Sequence, residues 1–264
     1  MSEGHESARA RHLEDVAIEV ASAAAGYVRA RSGKATAART KTSPTDVVTH
    51  TDMECEQLIR SELLARCPGS SIVGEELADD AGGNNVGWIV DPIDGTVNFL
   101  YDLPVVSVSI AATIDGEVAA GAVADIHRDE VFSATRNLGA RRTGEPISPT
   151  KLATLDGALV ATGFAYDSGL RATQAQMLTR LLPACRDIRC MGSAALNLCW
   201  VGCGRLDAYF ERDLKVYDYA AGALVALEAG ARIELPSTAN CNLAIAATGG
   251  VFESLRAILV SPND

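Results

Sequence analysis

Two aspartates, Asp91 and Asp94, stand three residues apart in "WIVDPIDGTVNF" (88–99), with Gly95 and Thr96 following at once. Trp88, Ile89 and Val90 have the apolar character of a buried strand, and that strand delivers two carboxylates to one point. Other predicted elements also end at acids. The strand through Val73 stops at Glu75 and Glu76, Asp52 opens a helical run, and Asp218 opens another after "KVY". Gathered carboxylates are costly unless cations neutralise them, and oxygen-only ligands suit hard ions, Mg²⁺ foremost. Pro92 holds its φ near about −65° and withholds an N–H, so the chain is expected to turn sharply there and aim the Ile93 carbonyl at the same centre. Gly95 allows a close approach, and its amide and that of Thr96 would open a short helix where an anion is favoured. Carboxylates for a metal beside amides for an anion are what phosphoryl chemistry requires. Taken singly, Asp218 reads as a helix cap and Glu75–Glu76 as a solvated loop tip. The whole string DPIDGT is far more specific.

The 264 residues are 48% apolar and 22% charged, an ordinary globular composition with material for a large core. No window approaches a membrane span, and the acid-bearing N-terminal stretch has no signal-peptide core, so a soluble cytoplasmic protein is expected. A net charge of −11 argues against direct binding of nucleic acid, which needs a basic face. Cysteine occurs seven times, at 55, 67, 185, 190, 199, 203 and 241. The odd, scattered set reads as reduced buried thiols. Cys199 and Cys203 share a helix face, but no further ligands make them a zinc site.

The elements expected to position the acids fall into two halves. Residues 6–31 and 46–66 read as helices, joined by a polar connector, "GKATAARTKTSPTDVVTHTD", expected to be a mobile loop. Residues 105–136 read as an antiparallel meander with turns at Asp115–Gly116 and Arg128–Asp129. Beyond Leu155, strands alternate with helices, "SAALNLCWVG" and "DYAAGALVALEAG" among them. This predicts an α+β half over 1–154, carrying most of the acids, and an α/β half over 155–264, carrying Asp218.

In order along the chain, "KTSPTDVVTHTD", "GEE" (74–76), "WIVDPIDGTVNF", "MGSAALNLCWVGCGRLDAYFE" (191–211) and "YDYAAGALVALEAGA" (217–231) resemble the inositol monophosphatase family of Mg²⁺-dependent, lithium-sensitive phosphatases. The resemblance implies the layered αβαβα sandwich shared with fructose-1,6-bisphosphatases, a homodimer, and two to three Mg²⁺ ions per site. It implies Glu75, Asp91 and the Ile93 carbonyl as ligands of one ion, Asp91, Asp94 and Asp218 as ligands of a second, and a looser third near Glu75. Thr96, paired with Asp52, would position and help deprotonate the attacking water. The amides of Gly95 and Thr96 would hold phosphate, while Glu211, with Gly192, Ser193 and Ala194, would line the pocket for the leaving alcohol. Glu76 would stand behind the ligands.

The implied chemistry is in-line attack by a metal-activated water with no covalent phosphoenzyme. None of the histidines (His5, His12, His50, His127) sits in a nucleophile or relay motif. The chain departs from the family's usual pattern at Tyr217, where Trp is usual, in the 79–85 loop, and after Ile233, where a Gly-rich turn is missing. Hydrolysis of myo-inositol 1-phosphate is the leading expectation. Histidinol phosphate, fructose 1,6-bisphosphate and 3′-phosphoadenosine 5′-phosphate are rivals, and Glu211 would repel the second phosphate of the last two. A binding partner of the transcription machinery is an expectation of a different class.

Overall fold

The computed structural model describes residues 3–40, 47–240 and 242–260. Asp46, residues 41–45 of the connector and Cys241 lie outside the described residues. Helix α1 (Glu3–Arg29) buries Leu13, Val16, Ala17, Val20, Ala21 and Ala24 along one stripe. Much of the connector is a correction to the expected loop: β1 (Ala37–Thr40) and β2 (Val47–Thr49) pair antiparallel. The β-branched run Val47–Val48–Thr49 suits a strand, and burial of Val48 and Thr49 against the body holds it there. The second helix, α2 (His50–Arg66), starts later than expected because Thr49 caps it, its hydroxyl accepting from the Asp52 amide.

The first large sheet has seven strands among the described residues. These are β3 (Ser71–Gly74), β4 (Val86–Asp94), β5 (Ser107–Ile114), β6 (Glu117–Asp125), β7 (Glu130–Thr135), β8 (Ala140–Arg142) and β9 (Glu145–Pro146), ordered as in sequence. Only β3 and β4 run parallel within it. The meander forms at the expected turns, with Asp115 and Gly116 both at positive φ in the two-residue link. Strand β5 is buried throughout, as a strand covered on both faces must be. Alternate residues serve opposite cores: Val108, Ile110 and Ala112 face α1 and α2, while Ala111 packs with the helices on the other side.

Short helix α3 (Thr96–Leu100) follows β4 directly. The remaining elements are β10 (Leu159–Thr162), α4 (Ser168–Leu181), β11 (Asp187–Cys190), α5 (Ala194–Gly202), β12 (Ala208–Arg212), α6 (Val216–Ala229), β13 (Arg232–Glu234), β14 (Leu243–Ala247) and α7 (Phe252–Leu259). The second sheet is mixed, in the order β11-β10-β12-β14-β13. Helices α5 and α6 lie between the sheets, α1 and α2 cover one outer face, and α4 and α7 cover the other. The result is the expected layered αβαβα sandwich.

The middle layer explains why α5 and α6 are apolar nearly all round. Every residue of α5 is buried, and α6 buries Ala220 through Ala226. The helices touch closely at Gly222, where a Cβ would stand 2.9 Å from the Ala195 carbonyl and 3.0 Å from Leu198 Cβ. On the preceding residue, Ala221 meets Gly121 of β6, where an added Cβ would be 3.1 Å away. Small residues therefore set the spacing of helix to helix and helix to sheet. Gly222→Val should lower the unfolding free energy by about 1–3 kcal/mol, read from the denaturant midpoint. An unchanged midpoint would contradict the close contact.

Candidate active site

The site forms where β4 runs into α3, between the first turn of α2 and the first turns of α5 and α6. Strand β4 does not end at Asp91, and the chain does not turn sharply at Pro92 as expected. Instead Asp91 pairs with Ser109 and Asp94 with Ser107, so three steps on β4 oppose two on β5. The proline falls within this bulge, where a ladder amide is not needed. The extra residue re-aims the strand and keeps both acids buried, 2% exposed for Asp91 and 7% for Asp94. Asp91 Oδ1 accepts from the Ile93 amide at 3.0 Å, bracing the bulge across Pro92.

Gly95 then adopts φ +99°, a region that suits glycine, and a Cβ there would stand 2.9 Å from the Val105 carbonyl and 3.1 Å from that of Gly192. This glycine caps α3, so its amide and that of Thr96 lie at the first turn, where intrahelical acceptors are lacking. The Thr96 hydroxyl lies 3.0 Å from Asp52 Oδ1 and 3.0 Å from the Ile93 carbonyl. It has one proton to give. Asp52 is fully buried; its other oxygen accepts the Thr49 amide at 3.0 Å and the Thr49 hydroxyl. The expected Thr96–Asp52 pair is thus in contact across 44 residues of sequence.

Asp94 points at the start of α5. Its carboxylate accepts from the Ala194 amide at 3.1 Å, the Ala195 amide at 2.8 Å, Ser107 Oγ at 3.2 Å and Ser193 Oγ. A helix N-terminus is a favourable place for an anion. Ser193 and Ala194, read from sequence as lining the pocket for the alcohol, here direct these donors at Asp94. Asn98, which was not singled out from the sequence, ties α3 to the segment before α5: its Nδ2 donates to Val105 O at 2.8 Å and Met191 O at 2.7 Å. Gly192 packs directly on it, since a Cβ there would sit 2.8 Å from Asn98 Nδ2.

Asp218 sits in the first turn of α6, its carboxylate accepting the Lys215 amide at 2.6 Å. Glu75 follows β3 and is half-buried. Glu211, near the end of β12, takes a hydrogen bond from the buried Tyr209 hydroxyl at 2.6 Å. The carboxylate of Glu211 fills the space a Cβ at Gly163 would need. Tyr209 was also missed from sequence, although its place two residues before Glu211 on a strand puts both on one face.

These acids act on one another. Burial drives the Asp91 carboxyl well above its ordinary range, and the charges of Glu75, Asp94 and Asp218 push it further. Burial likewise raises Asp218, with Glu75, Asp94 and Glu211 adding to it. Asp94 is raised by burial against the pull of its donors, Ser193 first. Burial also raises Asp52, opposed by hydrogen bonds from Thr49 and Thr96. Glu211 rises to about 7, through burial and then Asp94, with the Tyr209 bond opposing.

Among the described residues no three His, Cys, Asp or Glu side chains are grouped so as to hold a metal ion as they stand, Asp91, Asp94 and Asp218 being engaged by backbone and hydroxyl donors. The donor set nevertheless fits hard divalent ions: buried anionic oxygens, with other carboxylates as the dominant charges around them. Among the described cysteines, Cys55 touches the site's strand, its Sγ donating to the Pro92 carbonyl at 3.5 Å. Cys199 is buried within α5, and all six in the described residues are free thiols.

Glu211 yields a signed expectation. Its folded-state pKa is raised, so below about 4.5 it is protonated folded or unfolded and contributes nothing. Above about 7 the native state carries the full unfavourable charge. The gain in Tm of Glu211→Gln over the parent should therefore grow from pH 4.5 to 7 and level off beyond. A difference independent of pH would contradict the burial of this charge.

The sequence profile described as the Inositol monophosphatase family matches residues 9–260. The chain is 43% identical over 270 residues to an inositol-1-monophosphatase of Mycobacterium leprae, covering 94% of this chain and 93% of that protein. A solved structure of Mycobacterium tuberculosis SuhB superposes with a TM-score of 0.82 at 43% identity, covering 94% of this chain and 96% of the other. Over 187 residues the chain is 39% identical to a Nus factor SuhB of Salmonella typhimurium, covering 70% of each. With the layered sandwich and the matched length, these likenesses leave one conclusion: the chain belongs to the inositol monophosphatase family.

Proposed function

We propose that this phosphatase-family chain hydrolyses myo-inositol 1-phosphate to inositol and phosphate, with Mg²⁺ as cofactor. The observation that carries the reading is the hydroxyl of Thr96, set between Asp52 and the Ile93 carbonyl beside the buried pair Asp91 and Asp94. Glu75, Asp91, the Ile93 carbonyl, Asp94 and Asp218 would hold the ions. Bound there, Mg²⁺ would supply charge neutralisation for the phosphoryl oxygens and acidify a water.

The chain's own groups do the rest. Thr96 Oγ1, in contact with Asp52, orients the attacking water and passes its proton toward that carboxylate. Burial raises the affinity of Asp52 for a proton, which favours it as the acceptor. The amides of Gly95 and Thr96 face an anion at the start of α3. Glu211, fixed by Tyr209, receives the hydroxyls of the departing alcohol. With a pKa of about 7 it offers both a donor and an acceptor form near neutrality, which suits a polyol better than a second phosphate.

The test is phosphate release from myo-inositol 1-phosphate, histidinol phosphate, fructose 1,6-bisphosphate and 3′-phosphoadenosine 5′-phosphate at matched concentrations with Mg²⁺. The inositol ester should be cleaved with the highest kcat/KM, and Asp94→Asn should lose at least about a hundredfold of it. Preference for another ester would overturn the substrate while leaving the hydrolytic reading. The likeness to a Nus factor favours a second reading, a partner of the transcription machinery. An Asp94→Asn protein that loses hydrolysis but keeps its cellular role would establish that alternative.

A further inference from the structure

Helix α2 presents Asp52, Glu56 and Arg60 at four-residue intervals, hence along one face. All three are buried, which is unusual for charged residues on a helix. Asp52 reaches Thr96. One turn on, Glu56 reaches the segment that carries Glu75. Its Oε2 accepts the Glu76 amide at 2.7 Å and its Oε1 the Leu77 amide at 3.3 Å. On the other side of Glu75, Gly74 packs against the same carboxylate so closely that a Cβ would overlap it and stand 2.6 Å from Arg60 Nη2.

Arg60 completes the clamp. Its Nε and Nη2 donate to Glu56 Oε1 at 2.9 and 2.7 Å, Nη2 also reaches the Leu77 carbonyl at 3.3 Å, and Nη1 pairs with Asp80 at 2.7 Å. Lone buried charges are strongly unfavourable, so the ion pair and the two amides together keep an anion at this position. The backbone either side of Glu75 is thereby held to α2, the helix that also holds Thr96.

We propose that Glu56, backed by Arg60, is a positioning residue for cation binding: it fixes residues 74–77 so that the Glu75 carboxylate is presented to Asp91. The inference rests on reading Glu75 as a cation ligand. A strut serving stability alone would make the same contacts, so the test must separate binding from folding.

Metal-free protein is titrated with Mg²⁺ by calorimetry, and the Mg²⁺ concentration for half-maximal phosphate release is measured beside it. Glu56→Gln, which keeps the shape but removes the anion, should weaken Mg²⁺ binding by about tenfold or more, with kcat recovering at saturating Mg²⁺. Arg60→Lys, a milder change that loses the planar fork, should shift binding in the same direction and serves if Glu56→Gln does not fold. Glu75→Gln is the reference. If Glu75→Gln weakens binding while Glu56→Gln and Arg60→Lys lower only Tm, the positioning role is overturned and the ligand reading stands. If Glu75→Gln also binds Mg²⁺ as the parent does, the ligand reading falls with it.

Discussion

Mutual repulsion among carboxylates held out of water is the constraint on which the rest of this structure depends. Asp91, Asp94, Asp218 and Glu211 feel one another or the half-buried Glu75, and burial strips those four of solvent that would screen them. A fold that tolerates this must bring in donors, cations or protons. The protein supplies donors to four of these acids: the Ile93 amide for Asp91, the start of α5 for Asp94, the start of α6 for Asp218, a phenol for Glu211. What remains is the repulsion of Glu75, Asp94 and Asp218 on Asp91, which a divalent cation bound among them would relieve.

The sandwich exists, in functional terms, to make those termini meet. Helices α5 and α6 start beside the bulged end of β4 because small residues let them lie close together between two sheets. Asn98 and Gly192 lock α3 to the segment leading into α5. From the opposite face, α2 reaches Thr96 with Asp52 and the Glu75 segment with Glu56. Among the described residues, positions far apart in sequence are thus tied to a few stiff elements, which is how a site holds geometry within the tolerance that chemistry demands.

Much of this was legible in the sequence because the informative residues break local rules. The string DPIDGT on an apolar strand, and two helices with scarcely a polar face, are specific patterns, and both led to the observed elements. Less could be read where partners are distant. The hairpin of β1 and β2 is short, with a polar, exposed first strand, so its pattern matched a loop. The bulge at Pro92 depends on the register with β5, which the local string does not contain. Glu56 and Arg60 carry no mark of burial, since charges one turn apart on a helix ordinarily face water; their role depends on Gly74 lacking a side chain. Asn98 and Tyr209 were missed for the same reason: polar atoms in apolar surroundings become informative only when the acceptor is known.

The central claim is that these carboxylates form one cation-binding centre around Asp91. Its most direct test is a crystal grown with Mn²⁺ in place of Mg²⁺ and read by anomalous scattering. The account predicts strong peaks within bonding distance of Asp91 oxygens and of the Ile93 carbonyl, at least two in number, with Asp91 shared between them. A saturated crystal whose peaks lie elsewhere, or whose Asp91 has no metal neighbour, would contradict it.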